Sequence, residues 1–138
     1  MAQAVLIDSG AIVAALHKRD SRHLWAKSNL EAFTASCLTC EAVLSESFFL
    51  LERTPHGKEA LCALLERGIL RVEFSLAEHL SEVTRLLRRY HDTPMSYADA
   101  CLVRMSEMRD GSVIFTTDSD FKTYRKNGRQ AIPLIAPW

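Results

Sequence analysis

"SVIFTTDSDF", residues 112–121, decides how this chain folds. Val113, Ile114 and Phe115 suit a buried strand, yet the run ends in Thr116 and Thr117 and then in Asp118 and Asp120, side chains that disfavour a buried strand end. Near the N-terminus "AVLIDSG", residues 4–10, does the same: Val5, Leu6 and Ile7 lead straight into Asp8. Apolar residues in succession, rather than in alternation with polar ones, are expected when helices cover both faces of a parallel sheet. Two strands therefore deliver carboxylates to their ends.

Working outward from these runs, further short strands are expected at 36–39, 69–74 and 131–136. Between them lie helical stretches. A short helix over 11–16 follows the Ser9-Gly10 turn, and a second over 21–33 has Ser21 as its cap. Residues 40–53 combine helix formers with dense apolar content and no Gly or Pro, and Pro55-His56-Gly57 ends that helix before another at 58–68. Leu76, Leu80, Val83, Leu86, Leu87 and Tyr90 recur at helical spacing, and Ser96 is placed to cap a helix over 96–108. The segment 119–126 is expected to form one or two helical turns.

Strands and helices in this alternation give an α/β fold, with a central, mostly parallel sheet flanked by helices on both faces in three layers. At 138 residues the chain fits a single domain, 1–138, that buries roughly two thirds of its unfolded surface. In such sheets ligands bind beyond the carboxyl ends of the strands, where strand order reverses. Asp8 and Asp118 both fall at carboxyl ends.

Composition narrows the classes. Seventeen basic and seventeen acidic residues cancel, so any polyanion is held locally rather than by global charge. No stretch approaches the ~18 consecutive apolar residues of a membrane span, and the N-terminal MAQAVLID lacks a signal-type segment, so a cytoplasmic protein without membrane association is expected. Cys37 and Cys40 form C-x-x-C, but Cys62 and Cys101 are not at a second metal-type spacing. The four are read as reduced thiols that pack as small hydrophobes.

Each carboxylate has two readings. Asp8 faces the crevice or caps the following helix. Asp99 stands three residues after Ser96, the spacing of a capping box, and also points off its helix's N-terminal end. Asp118 and Asp120 serve a turn or a site. Glu46 has Ala42, Val43, Phe49 and Leu50 as helical neighbours, so its charge shares an apolar face and needs a cation, either a metal ion or an Arg. Glu41, in the first turn, is explained by the helix dipole.

Together, carboxylates at the sheet edge and on flanking helices would repel unless a divalent cation sits between them. Oxygen-only donors suit Mg²⁺ or Mn²⁺, and that arrangement serves metal-assisted phosphodiester hydrolysis. A phosphoaspartate enzyme shares the strand-end Asp8, but its haloacid-dehalogenase-like form expects a second Asp where this chain has Gly10.

On these residues the chain resembles the PIN-domain nucleases, in particular the small VapC-type toxins. The matching stretches are "LIDSGAIVA" with Asp8, "LTCEAVLSESFFLL" with Glu46, "SYADACLV" with Asp99 and "IFTTDSDF" with Asp118, in the family's order over nearly the whole chain. The resemblance implies a Mg²⁺- or Mn²⁺-dependent endoribonuclease, a homodimer and, for toxins, a cognate antitoxin that blocks the active site. It implies that Asp8, Glu46, Asp99 and Asp118 form the catalytic metal site, with Asp120 supporting or replacing Asp118. Ser9 and Thr116 match hydroxyl residues that orient the carboxylates. The alternative is a non-catalytic RNA-binding or regulatory module of the same fold.

Lys122, Arg125, Lys126 and Arg129 recur at spacings of three and four. If that segment is helical they share a face near the metal, either contacting RNA phosphates or simply solvated. Tyr97 and Tyr124 could stack on exposed bases or pack as core or rim aromatics.

Overall fold

The computed structural model describes residues 3–138. In chain order the elements are β1 (Val5–Ile7), α1 (Ser9–Leu16), α2 (His23–Ala32), β2 (Cys37–Thr39), α3 (Glu41–Leu50), α4 (Gly57–Glu66), β3 (Leu70–Val72), α5 (Leu76–Arg89), α6 (Tyr97–Met108) and β4 (Val113–Phe115). A 3₁₀ turn over Ser119–Lys122 follows, then β5 (Arg125–Lys126), β6 (Gln130–Ala131) and β7 (Leu134–Ile135).

Five strands form one parallel sheet in the order β3-β2-β1-β4-β7. The two runs that open the sequence reading are its centre: Val5, Leu6 and Ile7 pair with Val113, Ile114 and Phe115. All six are buried, which accounts for the absence of a polar alternation. From β1 the chain steps outward to β2 and β3, then returns past β1 to β4. Strand order therefore reverses between β1 and β4, where a crevice must open.

Helices α1 to α4 pack among themselves, and α5 packs on α6. Right-handed crossovers place the first group on one face and the second on the other, since the two sets of connections run in opposite directions across the sheet. Trp25 and Phe33 meet Phe115 in T-shaped contacts at centroid distances of 5.2 and 5.5 Å. The expected three layers are present.

Several boundaries differ from the sequence reading. Ser21 does not cap α2, because the Asp20 carboxylate accepts from the Arg22 amide and delays the helix to His23. Helix α3 stops at Leu50, ahead of the Thr54-Pro55 step, where the residue before proline avoids helical backbone. Gly68, at φ +73, provides the expected stop after α4.

The largest difference lies at 119–126. Only one 3₁₀ turn forms; Arg125 and Lys126 then pair antiparallel with Ala131 and Gln130. Asn127 and Gly128 both adopt left-handed backbone (φ 52 and 83), the chemistry of a tight hairpin reversal. The proposed helical face of Lys122, Arg125, Lys126 and Arg129 therefore does not exist. Lys122 and Arg129 are exposed, Arg125 folds back onto the carbonyls of Lys122, Thr123 and Tyr124, and Lys126 is buried.

Candidate metal centre

At the reversal point a cleft of about 530 Å³ is lined by Asp8, Ser9, Glu46, Asp99, Thr117 and Asp118, together with Gly10, Pro94, Ser96 and Ser119. A cleft of about 610 Å³ at the amino end of the strands, around Phe33, Cys37 and Leu64, has no such convergence of carboxylates.

Asp8 is set by the sheet itself. Its amide donates to the Phe115 carbonyl at 3.0 Å, one residue beyond the pairing of β1 with β4. Its Oδ1 accepts from the Ser9 amide at 2.8 Å and its Oδ2 from the Thr116 hydroxyl at 2.8 Å. Thr116 in turn accepts from the Asp118 amide at 2.9 Å, and Asp118 Oδ1 accepts from the Asp120 amide at 2.9 Å. Asp99 and Ser96 form the complete capping box of α6: the Asp99 amide donates to Ser96 Oγ at 3.0 Å and the Ser96 amide to Asp99 Oδ2 at 3.2 Å.

Capping and a place in the cleft thus go together at these aspartates. Asp8 caps α1, Asp99 completes the capping box of α6 and Asp118 caps the 3₁₀ turn, and one oxygen from each lies within 4.8 Å of the others. Such pairs repel by ~3 kcal/mol each at an effective dielectric of ~20. Burial, opposed by the bonds from Thr116 and Ser9 and reinforced by Asp99 and Glu46, pushes the Asp8 carboxyl up to about 7. Burial also raises Asp99, with Asp118 adding to it. Among the described residues, neither Lys nor Arg lines the cleft. The donor set is all oxygen and carries uncompensated charge, so Asp8, Asp99 and Asp118 fit a hard divalent cation.

Glu46 reaches the cleft differently. Of the neighbours that suggested an apolar face, Val43 is core, with Ser47 and Leu51 buried beside it, but Phe49 is 76% exposed and Leu50 half-exposed. Glu46 therefore lies at the border of the buried surface, with no arginine paired to it among the described residues. Its Oε1 accepts from the Ser9 hydroxyl at 2.5 Å. Ser9 thereby joins Glu46 to Asp8, and Glu46 lines the cleft from outside the three-aspartate group.

Asp120 supplies its amide to Asp118 and is outside that group; burial first, and then the Asp118 charge, raises its carboxyl. Glu41 is exposed in the first turn of α3. Tyr97 is 45% exposed, but Tyr124 is wholly buried and cannot stack on a base. Among the described residues no cysteine belongs to the metal-type group; Cys37, Cys40 and Cys101 are buried free thiols and Cys62 is half-buried.

Two participants escaped the sequence reading. Tyr124 donates its hydroxyl to Asp99 Oδ2 at 3.0 Å. Its spacing of three from Phe121 marks a packed aromatic but not a polar partner 25 residues away. Thr117 lines the cleft against Gly10, where a Cβ would collide with the Thr117 hydroxyl. Glycine at position 10 is what lets the first turn of α1 and the loop after β4 close on one another.

No curated protein matches the sequence. Among solved structures, the fold is similar to that of VapC20 from Mycobacterium tuberculosis, described as a Sarcin-Ricin loop cleaving toxin. The TM-score is 0.77 and the identity 22%, over 87% of this chain and 94% of that one. The PIN domain family model matches residues 5–127, a span that holds every carboxylate of the cleft, and the chain belongs to the PIN-domain family.

Proposed function

We propose that the protein is a metal-dependent endoribonuclease that hydrolyses RNA phosphodiester bonds and serves as the toxin of a type II toxin–antitoxin pair. The observation that carries this reading is the gathering of Asp8, Asp99 and Asp118 within 4.8 Å in a cleft that no Lys or Arg lines among the described residues. A bound Mg²⁺ or Mn²⁺ would polarise a phosphoryl oxygen and lower the pKa of a water molecule.

The chain supplies the rest. Asp8, Asp99 and Asp118 hold the cation, and Thr116 and Ser9 orient Asp8 through the bonds already described. Glu46, tethered by Ser9 at the border of the group, orients the attacking water. Asp120 supports Asp118 through its amide rather than replacing it. Lys122, exposed one turn beyond Asp118, and the exposed Arg129 offer phosphate contacts that would make binding salt-dependent.

The partners follow the same reading: an RNA with an accessible segment, a cognate antitoxin and a second copy of the chain, in the cytoplasm. The exposure of Phe49 and Leu50 on α3 supports a covered surface there. No helix among the described residues is long and apolar enough to cross a membrane.

Cleavage of a mixed structured RNA, including a Sarcin-Ricin loop hairpin, tests the function. Cutting with Mg²⁺ or Mn²⁺ that stops with EDTA is expected. RNA binding without cutting under either metal would overturn the enzyme in favour of a binding module.

A further inference from the structure

Asp99 takes both of its side-chain hydrogen bonds on one oxygen. Oδ2 accepts from the Ser96 amide at 3.2 Å and from the Tyr124 hydroxyl at 3.0 Å, and no hydrogen bond among the described residues ends on Oδ1. The capping box needs only the first of these. The second must be explained separately.

Tyr124 is held on two sides. Tyr90 and Phe121 each meet its ring edge-on at 5.3 Å, and Tyr90 is itself fixed by accepting from the Arg125 amide at 3.0 Å. The ring is fully buried, and among the described residues Asp99 is the sole partner of its hydroxyl. Phenylalanine would fill the same space without a polar atom to desolvate, so the hydroxyl is accounted for by the carboxylate it meets. A donor there favours the charged form of Asp99, and the carboxylate pushes the Tyr124 hydroxyl up after burial has done so, which keeps it a donor.

Position in the chain gives this bond a second effect. Asp118 and Tyr124 lie on one short segment after β4, whereas Asp99 lies on α6. One hydrogen bond therefore sets the separation of two carboxylates that come from different elements.

We infer that Tyr124 is a positioning residue of the metal centre: by occupying Asp99 Oδ2 it leaves Oδ1 for the cation and holds the Asp118 segment in register with α6. This rests on the metal-dependent reading of the same cleft.

The test is Mn²⁺ binding to the full chain, followed by electron paramagnetic resonance, with thermal melting of each metal-free variant alongside. Tyr124→Phe is expected to bind Mn²⁺ about tenfold or more weakly, as orienting partners of metal ligands do, and to melt close to the wild type. Tyr90→Phe loses a tyrosine hydroxyl from the same cluster without touching a carboxylate, and should bind as the wild type does. In an Asp99→Asn background, Tyr124→Phe should have no further effect.

Wild-type affinity in Tyr124→Phe, whatever its melting temperature, overturns the positioning role. So does an equal loss in Tyr90→Phe, which would mark a packing effect. No Mn²⁺ binding by the wild type, or unchanged binding by Asp8→Asn, would overturn the metal-dependent reading itself and the inference with it.

Discussion

The Thr116 hydroxyl donates to Asp8 Oδ2 at 2.8 Å and accepts from the Asp118 amide at 2.9 Å. One buried side chain therefore closes the two strand ends on which the site is built. Thr116→Val preserves shape but leaves both groups short of a partner. A loss of ~1–3 kcal/mol in urea denaturation is expected, with most of it recovered in Thr116→Ser. Wild-type stability in the Val variant would mean that the bond does not hold the two ends together.

The pH dependence follows from Asp8. Unfolded, it titrates near 3.8; folded, burial and neighbouring carboxylates raise it to about 7. Between those values the folded state binds the extra proton, so this group's contribution to stability is full below about pH 4 and is lost as pH rises through about 7. The loss is on the order of 4 kcal/mol. Denaturation of the metal-free protein at several pH values should show the decline, and Asp8→Asn should flatten it.

Metal binding must run the other way. Below about pH 7 the cation has to displace the Asp8 proton, so Mn²⁺ affinity should fall up to about tenfold per unit of acidification. Calorimetric titrations at two pH values check this, and proton release measured in two buffers should track it. Affinity independent of pH would place the cation elsewhere.

Glu46 and Asp8 should behave differently. Glu46 lies outside the three-aspartate group and is held by Ser9, so Glu46→Gln is expected to slow cleavage about tenfold to a hundredfold while Mn²⁺ affinity changes by only a few-fold. Asp8→Asn should lose both. Equal loss of Mn²⁺ binding in the two variants would put Glu46 among the direct ligands.

Exposed Phe49 provides a handle on self-association. Phe49→Asp places a charge on the surface expected to be covered by a second copy, and sedimentation should shift from dimer to monomer. An unchanged sedimentation coefficient would move that interface off this end of α3.

Much of this was legible in the chain because burial leaves a local mark. Val5–Ile7 and Val113–Phe115 read as buried strands since no residue in them is polar, and the aspartates at their ends pointed to the crevice. Spacing alone does not separate cap from cleft at Asp8, Asp99 and Asp118, because each of these carboxylates takes part in a cap and also lines the cleft.

What spacing missed was contact between distant elements. The Ser9–Glu46 and Tyr124–Asp99 bonds join residues 37 and 25 positions apart, and neither pair leaves a periodic trace. The apolar neighbours of Glu46 misled because an exposed Phe and a core Phe look alike in a sequence. The hairpin after Asp118 was signalled by Asn127-Gly128, whose left-handed backbone outweighed the helical spacing of the basic residues around it.

The central claim is that Asp8, Asp99 and Asp118 share one divalent cation, and anomalous diffraction from crystals grown with Mn²⁺ tests it most directly. A manganese peak bounded by an oxygen from each of the three, and missing in crystals of Asp8→Asn, is expected. A peak elsewhere, or one that persists unchanged in Asp8→Asn, would contradict it.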